Sequence, residues 1–142
     1  MTNLCAVVVG TGMMGPGIAA TLAAGGIGTC LVSRKAESAD EGLLQAKTLL
    51  STLEKQGLLS SAQLATASQY LSRSTDLDAQ VAHADFVVES IPEDLALKQC
   101  FFQRLASIAP KKTILASNTS GISISAIAAG CEQPERILAT HF

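Results

Sequence analysis

Six residues, Gly10-Thr11-Gly12-Met13-Met14-Gly15, constrain this chain more than any others. They follow Leu4-Cys5-Ala6-Val7-Val8-Val9, a near-continuous apolar run. Such a run belongs to a central parallel strand covered on both faces. A helical pattern comes next, with Met14, Ile18 and Leu22 on one stripe and alanines between them. Pro16 suits its first turn, where no amide donor is needed. Gly25-Gly26 ends it, and Thr29-Cys30-Leu31-Val32 is the next strand. Strand, glycine turn, helix and strand within Leu4 to Val32 make a βαβ unit, because parallel pairing requires a crossover. The glycine spacing has a mechanism. Gly10 permits the tight turn, Gly12 lets backbone approach a pyrophosphate, and Gly15 lets the helix pack close to the strand. Amides at the helix start, around Met13 and Met14, then meet the phosphate charge.

Between Ser38 and Ala67 the alternation is interrupted. Leu43, Ala46, Leu50 and Leu53 share a helical face, and Gly57 is placed to end that helix. Ser60 and Gln63 have capping-box spacing for a second helix. This predicts a helical hairpin inserted between strands. Tyr70-Leu71-Ser72 is a short strand candidate, and Asp76 caps a brief helix through Val81. Phe86-Val87-Val88 is a strand. Pro92, Glu93 and Asp94 open a helix whose apolar face is Leu95, Phe102, Leu105 and Ile108, closed by Pro110. Thr113 to Ala116 is a further strand, Ser123 caps a short helix ending at Gly130, and Arg136 to Thr140 is the last strand. The pattern predicts one doubly wound, Rossmann-like α/β domain over residues 1–142, with a mostly parallel sheet. The chain stops two residues past a strand tip, where such folds bind ligands, so it looks cut at the edge of its own site.

Composition narrows the function. Of 142 residues, 48% are hydrophobic and 15% charged, which excludes intrinsic disorder. A net charge of −2 gives no field for nucleic acid or an anionic membrane. Trp is absent and aromatics are 4%, so base-stacking platforms are not expected. Seven glycines interrupt the low-charge stretch Met1 to Val32, which therefore does not read as a membrane span. No Lys or Arg precedes Arg34, so a secretory signal is not expected. Cys5, Cys30, Cys100 and Cys131 include no CxxC pair and have apolar neighbours. We expect buried, unbridged thiols in a reducing cytoplasm and no metal site.

The strand tips carry the polar chemistry. After the second strand come Ser33-Arg34-Lys35, where many NAD binders place an acidic residue for the ribose hydroxyls. A hydroxyl and two cations would suit a 2′-phosphate, or would be an ordinary solvated turn. Later tips read Glu89-Ser90-Ile91-Pro92-Glu93, Ser117-Asn118-Thr119-Ser120-Gly121 and His141-Phe142.

With these segments the chain resembles the NAD-binding domain of the L-3-hydroxyacyl-CoA dehydrogenases. The pieces are GTGMMGPGIA (Gly10 to Ala19), ADFVVESIPEDLALK (Ala84 to Lys98), ASNTSGISISAIA (Ala116 to Ala128) and HF at His141. The resemblance implies an oxidoreductase interconverting 3-hydroxyacyl-CoA and 3-ketoacyl-CoA by hydride transfer. It implies His141 as catalytic base, a role that suits imidazole. It implies Ser120 on the substrate oxygen, Asn118 near nicotinamide and substrate, and Glu93 and Lys98 at the cofactor. Each has a plainer alternative: Ser120 and Asn118 as turn residues, Glu93 as a helix-start acid, Lys98 as a solvated helix residue.

Three departures stand out. Ser33 occupies the family's acidic position, so the cofactor expectation is NAD with NADP as the alternative. The family's His is oriented by a Glu that follows it in the chain, and these 142 residues hold none after His141. The family's mostly helical C-terminal domain, which completes the pocket and a homodimer, is absent from these 142 residues. The hairpin, which in the family carries basic residues for the CoA phosphates, begins Glu37-Ser38-Ala39-Asp40-Glu41 here. A small hydroxy-acid dehydrogenase on the same domain, or a dinucleotide-binding module without turnover, are the rival readings.

Overall fold

The computed structural model describes residues 4–142; the first three residues of the Met1 to Val32 stretch lie outside them. The elements run β1 (Cys5–Val9), α1 (Gly15–Ala24), β2 (Gly28–Val32), α2 (Ala36–Lys55), α3 (Ser61–Tyr70) and β3 (Leu71–Ser74). Then follow α4 (Leu77–Val81), β4 (Phe86–Glu89), α5 (Leu95–Ile108), β5 (Ile114–Ser117), α6 (Ile124–Ile127), a 3-10 turn (Pro134–Arg136) and β6 (Ile137–Ala139). The six strands pair in the order β3-β2-β1-β4-β5-β6, and every pairing is parallel. This is the doubly wound order, with its reversal between β1 and β4.

The apolar run in β1 is buried on both faces. Val7 and Val9 point to one core with Val32, Val87, Phe102, Leu105 and Leu115. Val8 points to the other, with Ile18, Leu31, Leu50, Val88 and Ala116. The helical hairpin is the crossover from β2 to β3. Ser60 and Gln63 form the capping box, each side chain meeting the other's backbone amide.

Four local expectations are corrected. Met14 is the residue before α1 and is 37% exposed, while Ile18, Ala19, Ala20 and Ala23 are buried. Small side chains let α1 and α2 approach closely, and methionine would hold them apart. Leu95 is 40% exposed, and Lys98 joins Phe102 and Leu105 on the buried face of α5. Ser123 precedes α6 without capping it by side chain, and that helix ends at Ile127. Of the cysteines only Cys30 is buried; Cys5 and Cys100 are exposed, and no disulfide forms among the described residues. Among those residues no helix is long and apolar enough to cross a membrane.

Candidate active site

Register brings the strand tips into one row. Val9 lies beside Val32 and Glu89, Glu89 beside Ser117, and Ser117 beside Ala139. The residues that follow each tip therefore share one edge of the sheet.

At the centre of that edge, Gly10 has φ +110°, and a Cβ there would lie 2.2 Å from the Ser90 carbonyl oxygen. A Cβ on Gly15 would lie 1.8 Å from the Gly10 carbonyl oxygen. Both glycines are demanded by the turn itself. Gly12 differs, because a Cβ there would meet nothing within 4 Å. Packing therefore does not account for Gly12, and the space above it is open. Met14, at the N-cap of α1, makes no side-chain capping hydrogen bond. Uncapped amides below an open cradle suit an anionic ligand such as a pyrophosphate. Met13 and Met14 stand exposed beside this turn. Ser33 is half-buried at the β2 tip, where its Oγ accepts from Thr11 Oγ1 at 3.3 Å. Arg34 and Lys35 are exposed.

On the other side of the reversal, Glu89 ends β4 and is 0% exposed. Its Oε1 accepts from Lys98 Nζ at 2.7 Å and from the Ile91 amide at 2.6 Å. Its Oε2 accepts from Ser117 Oγ at 2.6 Å. Lys98 is also 0% exposed, and its Nζ reaches Glu93 Oε2 at 3.2 Å. Glu93, with a side chain 43% exposed, gathers three donors on Oε1: the Thr119 hydroxyl and the Ser120 and Gly121 amides, the amides at 3.2 Å each. The Thr119 hydrogen bond, then the Gly121 amide and Lys98, hold the Glu93 carboxyl well below its ordinary 4.5, at about 2, against a smaller opposing effect of desolvation.

Ser120 Oγ lies 3.2 Å from His141 Nε2. Asn118 Oδ1 accepts from the Phe142 amide at 3.2 Å, and the Thr140 amide donates to the Ser117 carbonyl at 2.9 Å. These two bonds hold the segment carrying His141 against the loop carrying Ser120. Both Ser120 and His141 are exposed.

The residues singled out in the sequence thus fall into two groups along one edge. Gly10, Gly12, Met13, Met14, Gly15, Ser33 and Arg34 flank the first glycine turn. Glu93, Lys98, Asn118, Ser120 and His141 meet beyond β4. Sequence reasoning gave no part to Glu89 as an anchor or to Thr119 as a partner of Glu93. A carboxylate closing an apolar strand, with a lysine nine residues on in the next helix, was the available signal for the first. Nothing local marked Thr119. Among the described residues no group of three or more His, Cys, Asp or Glu side chains is placed to hold a metal ion.

Comparison with known proteins places the chain in a family. Residues 5–142 match the family model described as 3-hydroxyacyl-CoA dehydrogenase, NAD binding domain. A probable 3-hydroxybutyryl-CoA dehydrogenase of Bacillus subtilis (strain 168) is 37% identical over 135 residues, which are 95% of this chain and 47% of that protein. A crystal structure of 3-hydroxybutyryl-CoA dehydrogenase from Escherichia coli K12 superimposes with a TM-score of 0.92 at 34% identity, over 100% of this chain and 30% of that one. A 5-formyl-3-hydroxy-2-methylpyridine 4-carboxylate 5-dehydrogenase of Mesorhizobium japonicum is 32% identical over 95% of this chain and 43% of its own length. The chain spans less than half the length of each of these proteins. It belongs to the 3-hydroxyacyl-CoA dehydrogenase NAD-binding domain family, and NAD is its cofactor.

Proposed function

We propose that these 142 residues form one cofactor-binding domain of a dehydrogenase that interconverts 3-hydroxyacyl-CoA and 3-ketoacyl-CoA. The carrying observation is the 3.2 Å approach of Ser120 Oγ to His141 Nε2 on the same sheet edge as the open glycine cradle. Gly10, Gly12, Met13, Met14 and Gly15 would hold the pyrophosphate, with Ser33 and Arg34 at the adenosine ribose. Bound NAD supplies the hydride acceptor or donor. In the oxidative direction His141 takes the substrate hydroxyl proton at Nε2, and in the reductive direction it returns it. Ser120 Oγ, within reach of the same nitrogen, holds the reacting oxygen. Asn118 keeps the His141 segment in place through the Phe142 amide. A cytoplasmic setting, a homodimer and a pocket completed by further chain belong to the same proposal; the last is supported by a relative about twice as long.

A second reading has an observation of its own. The α2 start presents Glu37, Asp40 and Glu41, all exposed, where CoA phosphates would favour cations. A small hydroxy acid without CoA would suit that charge better. The two readings separate in one assay of NADH oxidation by the dehydrogenase containing this domain, with acetoacetyl-CoA against acetoacetate. The first predicts turnover with the thioester and little with the free acid. Turnover with the free acid alone would establish the second, and turnover with neither would leave a binding module.

A further inference from the structure

We propose that Lys98 and Glu89 are positioning residues for the Ser120–His141 pair and act through Glu93. The inference rests on reading that pair as the substrate-facing group. Lys98 would otherwise read as a solvated helix residue, yet its side chain is fully enclosed. Its ammonium has three donors. Three acceptors surround it: Glu89 Oε1 at 2.7 Å, Glu93 Oε2 at 3.2 Å and the Ile91 carbonyl at 3.4 Å. Glu89 also accepts from the Ile91 amide and the Ser117 hydroxyl. The pair therefore ties β4, α5 and β5 together at the point where the sheet edge becomes the site.

Burial of such a pair is weak evidence for stability, since apolar residues of similar volume often serve as well. Its geometry indicates another role. Glu93 lies in the irregular stretch between β4 and α5, and Lys98 links it to the buried anchor. From Glu93 the chain of contacts runs to Thr119 Oγ1 and to the Ser120 and Gly121 amides. Thr119 Oγ1 in turn accepts from the Ile122 amide at 3.1 Å. The Asn118 amide ties the start of the loop to the Glu89 carbonyl at 2.8 Å. The Glu93 carboxylate holds the part of it that presents Ser120 to His141, and that carboxylate is aimed by one buried cation.

The test is residue-resolved amide hydrogen exchange by NMR, with an NADH titration alongside. The principal variant is Glu89→Gln with Lys98→Met, which removes both buried charges together. Ser120 and Gly121 should exchange at least about tenfold faster, while Val8 and Val88 in the central strands stay as in wild type. Wild-type protection of Ser120 and Gly121 in this variant would overturn the proposal. Should the double variant not fold, Glu93→Gln at an exposed position decides. It should release the same two amides and shift the nitrogen resonance of the Lys98 ammonium. An unmoved Lys98 signal, or protected loop amides, would overturn the proposal as well. Failure of wild type to bind NADH would instead count against the functional reading, and the loop result would stand apart from it.

Discussion

Gly12 and Gly15 lie three residues apart in one turn, yet the structure gives them opposite duties. A side chain at Gly15 would run into the Gly10 carbonyl, and a side chain at Gly12 would enter open space. Gly15→Ala should therefore lower stability, on the order of 3 kcal/mol, because the neighbour is backbone and cannot yield as a side chain would. Gly12→Val should leave circular dichroism and the melting temperature close to wild type and abolish NADH binding in a calorimetric titration. Unchanged affinity would mean that the turn is only structural. Glu93 makes a prediction in pH. Its folded value, about 2, lies below the ordinary 4.5, so its clamp on the loop contributes fully above 4.5 and is lost as pH falls through about 2. The carboxyl carbon of Glu93, followed by NMR, should titrate near 2, and Thr119→Val should raise that midpoint. A wild-type midpoint near the free-glutamate value of about 4.3 would show that the three donors do not hold this carboxylate.

At the scale of elements, the tip of β2 carries Ser33 where many NAD binders place an acidic residue. Ser33 leaves no negative charge to repel a 2′-phosphate, and exposed Arg34 can offer a planar fork to one. Such a contact is worth about 1.5–3 kcal/mol, or roughly tenfold and more in affinity. Paired titrations should show NADPH binding beside NADH, and Ser33→Asp should weaken NADPH while sparing NADH. If wild type prefers NADH by more than about tenfold and Ser33→Asp changes neither affinity, the residues after β2 are a solvated turn. The elements themselves were legible because their signals are local. Val7-Val8-Val9 shows a doubly buried strand, and Ser60 with Gln63 shows a helix start. The misreadings have a common origin. Met14 and Leu95 are apolar and in phase with a helix, but each sits at the start of its helix, exposed to solvent. Periodicity reports the side of a helix and not how far along it the core extends.

For the whole molecule, the site was legible as a row of strand tips, while its internal wiring was not. Strand alternation predicts that glycine turn, SNTS loop and His141 meet at one edge, and register places them there. The burial of Lys98 depends on Glu89 from β4, which is itself held by Ser117 from β5, 28 residues further on. Such a pairing across strands has no periodic trace in the sequence. Solvent exposure of Ser120 and His141 also bears on activity. A base and an oxygen-binding hydroxyl open to water lack the dry, preorganised surroundings that strengthen their action. These 142 residues alone should therefore bind NADH and oxidise it with acetoacetyl-CoA at little or no rate. The most direct measurement of the central claim is His141→Asn in the dehydrogenase containing this domain. With His141 as the base, kcat for 3-hydroxybutyryl-CoA oxidation should fall roughly 10²–10⁴-fold while NADH affinity stays within about twofold. Activity retained to within about tenfold, or NADH binding lost together with activity, would contradict the assignment of His141.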